Sequence, residues 1–280
     1  MFAAVGAVAA LVAIGGTVVA LSGDGDESTS GSSVEIVHVH GLGVDPLGGV
    51  LLAGTHHGLF RVPQGAQATR VGEQVQDFMG FTVAGPNHYL ASGHPGPAQL
   101  GPESVGLIES TDGGRSWQSL SLEGKADFHA LEARHGLVYG LNALTGDFMV
   151  SQDKRTWQTR GQLPIADFAV SPDDAEILLA TTEQGLARSE DGGNTYTPVA
   201  AAPPLLLVSW AEDGTIVGAG QDGTLHASTD GARTWQRRGS LGSTPHALTA
   251  TSGSDVFAAV DGAILASLDG GRTFAVRYRE

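Results

Sequence analysis

The sequence predicts an all-β radial fold, a β-propeller of six four-stranded blades, and three observations carry that prediction. The stretch Ser110-Thr-Asp-Gly-Gly-Arg-Ser-Trp117 returns as SQDKRTW from Ser151, SEDGGNTY from Ser189, STDGARTW from Ser228 and SLDGGRTF from Ser267, with starting serines 41, 38, 39 and 39 residues apart. A near-constant period of this length is the mark of a repeat architecture. Short apolar runs alternate with Gly, Asp, Ser and Pro clusters, as strands and turns do. Finally, 41 glycines against 6% aromatic residues suit many tight turns better than helices. A sandwich also holds many short strands, but it supplies no reason for a period near 39; stacking blades around a channel does.

The recurring motif resembles the Asp-box, or BNR, repeat of sialidase-like and related β-propellers. Its chemistry is structural. The Asp and glycines suit a turn that needs positive φ, and the Ser or Thr and the aromatic return the chain to a strand. The copy at Ser151 lacks the glycines and is one residue shorter, so its turn is expected to be irregular.

Taken in order, residues 1–21 read as a transmembrane anchor or signal helix. Residues 2–21 carry no charge, and twenty helical residues span the roughly 30 Å hydrocarbon core of a bilayer. The small residues at Val18-Val19-Ala20 offer a cleavage site, which leaves a secreted form as the alternative to a single-pass membrane protein. The charges that follow, Asp24, Asp26 and Glu27, are all acidic, which places the domain on the extracytoplasmic side. Residues 22–33, SGDGDESTSGSS, form a flexible tether too polar to pack. The propeller is expected over 34–280, with blades at 34–73, 74–125, 126–163, 164–202, 203–242 and 243–280. The second blade is the longest because PGPAQLGPES is inserted between its second and third strands.

Composition narrows the chemistry. No cysteine is present, which excludes disulfides, thiolate metal sites and cysteine nucleophiles. A formal charge of −15 argues against a nucleic-acid partner, since phosphate binding needs a basic surface.

Blade topology sorts the ten histidines by rim. Connections into a blade's first strand, A, and between B and C share an upper rim, while A–B turns and the Asp boxes share a lower one. His38 and His40 enter strand A of blade 1, and His56 and His57 occupy its B–C turn. His94 lies in the long B–C loop of blade 2, and His129 and His246 begin the A strands of blades 3 and 6. His88 and His135 fall below, and His226 lies in a C strand. Aligned A strands put His40, Met79, His129, Ala166, Leu206 and His246 in one column at the channel mouth. The alternative alignment matches the Asp-Phe pairs of DFMG, DFHA and DFAV, and a slip of one residue would turn a side chain to the other face. Imidazoles converging on one mouth suit a transition metal, zinc or copper, or a small molecule held by the rings, and the thioether of Met79 favours copper. His40, His129 and His246 are the expected core ligands, with His38, His56, His57 and His94 beside or behind them.

The stretches HVHGLG, THHGLF and ASGHPG resemble bacterial proteins labelled glycosyl hydrolases, which implies a glycosidase as a second reading. The sialidase arrangement of three arginines with a Tyr–Glu pair has no counterpart in the A strands. Asp77, Asp127 and Asp167, at or before A strands, are the candidate carboxylates, with Glu183 and Asp222 in B–C turns behind them. A third reading follows from a resemblance to the Asp-box propellers that help assemble photosynthetic complexes, in which the rim would be a protein-docking surface.

Overall fold

The computed structural model describes residue 36 and residues 38–280, except 98 and 163. The segment read as an anchor or signal helix, 1–21, and the tether, 22–33, lie outside the described residues. Among the described residues no helix is long and apolar enough to cross a membrane.

Six four-stranded antiparallel sheets account for the described chain, each built from four consecutive strands. Blade 1 is β1 (Val39–Asp45), β2 (Val50–Thr55), β3 (Gly58–Arg61) and β4 (Thr69–Arg70). Blade 2 is β5 (Asp77–Gly85), β6 (His88–His94), β7 (Leu107–Ser110) and β8 (Gln118–Ser121). Blade 3 is β9 (Phe128–Arg134), β10 (Leu137–Asn142), β11 (Asp147–Ser151) and β12 (Gln158–Gln162). Blade 4 is β13 (Ile165–Val170), β14 (Leu178–Thr182), β15 (Gly185–Ser189) and β16 (Thr197–Pro198). Blade 5 is β17 (Leu207–Trp210), β18 (Ile216–Ala219), β19 (Thr224–Ser228) and β20 (Gln236–Ser240). Blade 6 is β21 (Ala247–Ala250), β22 (Val256–Val260), β23 (Ala263–Ser267) and β24 (Ala275–Arg279).

Burial follows position in the blade. The second strands are apolar on both faces, as Leu51, Leu52 and Ala53 of β2 and Leu178, Leu179 and Ala180 of β14 show, because each is packed between two neighbouring blades. The fourth strands, such as QRRGS in β20, are largely exposed outer edges. First strands of successive blades touch one another around the ring, and β1 touches β21, which closes it. Ile36, Val39 and Leu42 of blade 1 pack with Ala247, Ala259 and Ile264 of blade 6 at that junction. The Ile36 N–H donates to Tyr278 Oη at 3.2 Å across it.

The Asp boxes hold the lower rim. In four copies the serine hydroxyl donates to the Asp and accepts the N–H of the residue four positions on, as Ser110 does with Asp112 at 2.8 Å and Gly114 at 2.8 Å. Asp112 also accepts from the Arg115 and Ser116 N–H groups and from the Ser116 hydroxyl, and these bonds hold its carboxyl down at about 2. The short copy keeps the aspartate's bonds, with Asp153 accepting from Arg155 N, Thr156 N and Thr156 Oγ1. It does so at the cost of a lysine in the left-handed region, Lys154 at φ 61, which is pinned by Nζ on Glu109 at 2.5 Å. Box and A–B turn meet where Gly113 N donates to Asn87 O at 2.9 Å, which confirms that they share a rim.

Candidate functional site

A channel of about 940 Å³ runs through the ring, lined by residues of β1, β5, β9, β13, β17 and β21. Its walls are the inner edges of six sheets, whose N–H groups have no further strand to pair with. Polar side chains of the preceding blade satisfy several of them: Glu132 accepts from Val170 N at 3.0 Å, Asp167 from Val208 N at 2.9 Å and Ser209 from Ala250 N at 3.0 Å. Burial pushes the Glu132 carboxyl up to about 7 despite the Arg134 guanidinium 3.2 Å away, and burial likewise pushes Asp167 up to about 7.

At the upper mouth each first strand departs from regular pairing by one residue. The register shifts across Val39/Gly41, Phe78/Gly80 and Ile165/Asp167, and β9 slips between Phe128 and Ala130, leaving His40, Met79, Ala166 and His129 as the extra residues. In blades 5 and 6, Leu206 N and His246 N bond to Ala219 O and Ala259 O, the carbonyls of residues already paired with Leu207 and Ala247. The column His40, Met79, His129, Ala166, Leu206, His246 is thus a column of bulge residues. A bulge re-aims its side chain away from the sheet's alternation, and His40, Met79, Ala166, His129 and His246 line the channel.

The bulges also settle the Asp-Phe alignment. In blades 2 and 3 the Asp-Phe pair precedes the extra residue, whereas in blade 4 the extra residue, Ala166, precedes Asp167. Asp167 consequently takes the strand position of Gly80 and Ala130, below the mouth. It is not equivalent to Asp77 and Asp127.

Those two aspartates join a continuous line of six side chains carried by blades 1 to 3. His40 Nε2 meets His56 Nε2 at 3.2 Å, and His56 Nδ1 meets Asp77 Oδ1 at 2.5 Å. Asp77 Oδ2 meets His94 Nδ1 at 3.0 Å, His94 Nε2 lies 3.4 Å from Asp127 Oδ2, and His129 Nε2 meets the same oxygen at 2.9 Å. Burial, helped by the neighbouring His56, pushes the His40 imidazole down to about 4, so it is neutral at pH 7. The Asp127 side chain is only 5% exposed, and its Oδ1 is buried without a partner among the described residues.

The remaining sequence candidates fall around this line. His38, in the left-handed region at φ 49, places its ring 5.1 Å from that of His56. His57 is exposed in the same turn as His56, with its backbone N–H on Thr55 Oγ1. His246 bonds Asp261 Oδ1 at 2.7 Å and borders a separate recess of about 230 Å³ with Ile36, His38 and Tyr278. The expected set of His40, His129 and His246 is therefore not one cluster: His40 and His129 are linked through His56, Asp77, His94 and Asp127, and His246 has its own partner. On the lower side His88 meets Glu109 at 2.8 Å and His135 meets Ser171 O at 2.8 Å.

Sequence reasoning named Asp77 and Asp127 as carboxylates but missed that each serves histidines. The available signal was register: Asp77 opens its strand directly opposite His94, which closes the next. It also passed over Leu100, fully exposed in the Pro-rich B–C loop of blade 2, and Leu144, exposed in the B–C turn of blade 3. A lone leucine inside PGPAQLGPES was the visible sign.

No protein-family model matches the chain. Among curated proteins it is similar to the photosystem II assembly lipoprotein Ycf48 of Prochlorococcus marinus, 21% identical over 171 residues, covering 57% of this chain and 50% of that protein. The chain thus matches about half the length of that relative. Among solved structures, YCF48 bound to D1 peptide is 19% identical with a TM-score of 0.53, covering 87% of this chain and 83% of that one. The nidogen/laminin complex matches with a TM-score of 0.64 at 9% identity, covering 82% and 95%. XC5397, a gluconolactonase from Xanthomonas campestris, matches with a TM-score of 0.64 at 12% identity, covering 86% and 85%. Protein binders and an enzyme share this architecture, so what these structures have in common with the chain is the propeller itself.

Proposed function

We propose that the chain is an extracytoplasmic docking scaffold that holds a protein segment at its upper rim, in the manner of an assembly factor. The observation that carries this reading is Leu100. A fully exposed leucine on a loop containing Pro95, Pro97 and Pro102 presents apolar surface at little further entropic cost. Leu144, in the next blade's B–C turn, is a second exposed leucine on the same rim, while Leu47 in an A–B turn and Leu268 in an Asp box are exposed on the lower one. Similarity to Ycf48 supports the reading, because that relative is an assembly lipoprotein and a solved YCF48 carries a bound peptide. The glycosidase reading draws less support from the site, since Asp77 and Asp127 are engaged by histidines and Asp167 by a backbone N–H.

The test is site-specific photo-crosslinking in the membranes of the source cell, with a photoreactive residue in place of Leu100, Leu144 or the lower-rim Asn194. A discrete partner should be captured from Leu100 and Leu144, and its yield should fall at least fivefold when Leu144 is changed to serine in the Leu100 probe. Equal capture from Asn194, or none from the upper rim, would reject the docking role.

A further inference from the structure

The upper-mouth line holds an arrangement that docking does not use. Two imidazole nitrogens sharing a tetrahedral zinc ion at about 2.0–2.1 Å stand about 3.3 Å apart. His40 Nε2 and His56 Nε2 stand 3.2 Å apart. His56 is free to offer Nε2 because its Nδ1 is committed to Asp77 at 2.5 Å, the carboxylate–histidine pairing that fixes tautomer and ring orientation at metal sites. One ligand-type atom from each of His40, His56 and Asp77 lies within 4.8 Å of the others.

Two further observations fit a cation here. The whole chain carries a formal charge of −15, which draws cations toward a narrow polar mouth. The bulge at His40 brings its ring out of the strand's alternation toward His56, 4.6 Å between centroids.

We infer that His40 and His56 bind one divalent first-row transition ion, zinc or copper, through their Nε2 atoms, with Asp77 as the positioning carboxylate and the other coordination positions facing the channel mouth. Imidazole donors without thiolate suit these ions. The site stands apart from the docking reading, which rests on Leu100.

The experiment uses the purified full chain, stripped with a chelator and titrated separately with zinc chloride and copper sulfate. Calorimetry and elemental analysis after gel filtration should give one equivalent of at least one of the two ions. Affinity should fall at least about 100-fold in His40→Ala and in His56→Ala, and roughly 10–100-fold in Asp77→Asn. His246→Ala and Leu100→Ser should leave it unchanged. X-ray absorption of the loaded wild type should show two imidazole nitrogens at about 2.0 Å, a readout that holds even where a variant fails to fold. Less than a tenth of an equivalent of both ions, binding that survives both histidine changes, or a spectrum with fewer than two imidazoles would overturn the inference.

Discussion

A serine is the smallest unit on which this fold can be tested. Ser110 is buried and both donates to Asp112 and accepts from Gly114, whereas Ser151, in the shortened box, donates to Asp153 at 3.3 Å. Removing the Ser110 hydroxyl strands a buried N–H, which costs about 1–3 kcal/mol. Ser110→Ala should therefore lower unfolding free energy by about that much in urea titration, and Ser151→Ala by less than half as much; equal losses would show that the boxes do not act through this bond. Residue identity was legible in the sequence, but residue partnership was not. Seven histidines were sorted to one rim from topology alone, yet which of them meet depends on side-chain reach across blades, and period and composition carry no trace of it. His246 illustrates the gap: it shares the bulge column with His40, but Asp261, in the turn before β23, takes its ring.

At the scale of the strand, the bulge decides what the mouth presents. The Asp-Phe pairs of DFMG, DFHA and DFAV offer an alternative match in the sequence, and one displaced residue in blade 4 separates Asp167 from Asp77 and Asp127. Register shifts of this kind arise from tertiary fit, so a sequence alignment could state the ambiguity without resolving it. The end of β6 is under a related constraint. A Cβ on Gly93 would sit 2.0 Å from Asp77 O, at φ +140, whereas one on Gly48, at φ +87, would meet nothing within 4 Å. Gly93→Ala should cost at least about 2 kcal/mol through strain and overpacking, and Gly48→Ala about 1 kcal/mol through backbone conformation alone. Thermal unfolding of the two variants checks the ordering, and a Gly93→Ala protein as stable as Gly48→Ala would refute it.

For the whole molecule, six blades and their order were legible because the period is written into the chain five times and the unboxed first blade follows the same template. The polar lining of the channel was not, because its role is to serve exposed sheet edges that exist only once the ring forms. That lining sets a pH dependence. Glu132 holds its proton more tightly folded, at about 7, than its ordinary 4.5, so the folded state binds more protons between those values and stability falls as pH rises through them. Glu132→Gln keeps an acceptor for Val170 N–H and removes the titration. Between pH 5 and 7.5 the variant should gain about 1–2 kcal/mol relative to wild type in urea unfolding, and parallel curves would exclude Glu132 as the source. Among the described residues no strand crosses from one blade into another's sheet, so the ring is a rolled strip rather than a buckled belt, with a seam where blade 6 meets blade 1 through side chains. His38 and His246 stand on opposite banks of that seam, while the line from His40 to His129 rides on three covalently consecutive blades to one side of it. Loosening the seam would part the first pair and leave the second assembly whole.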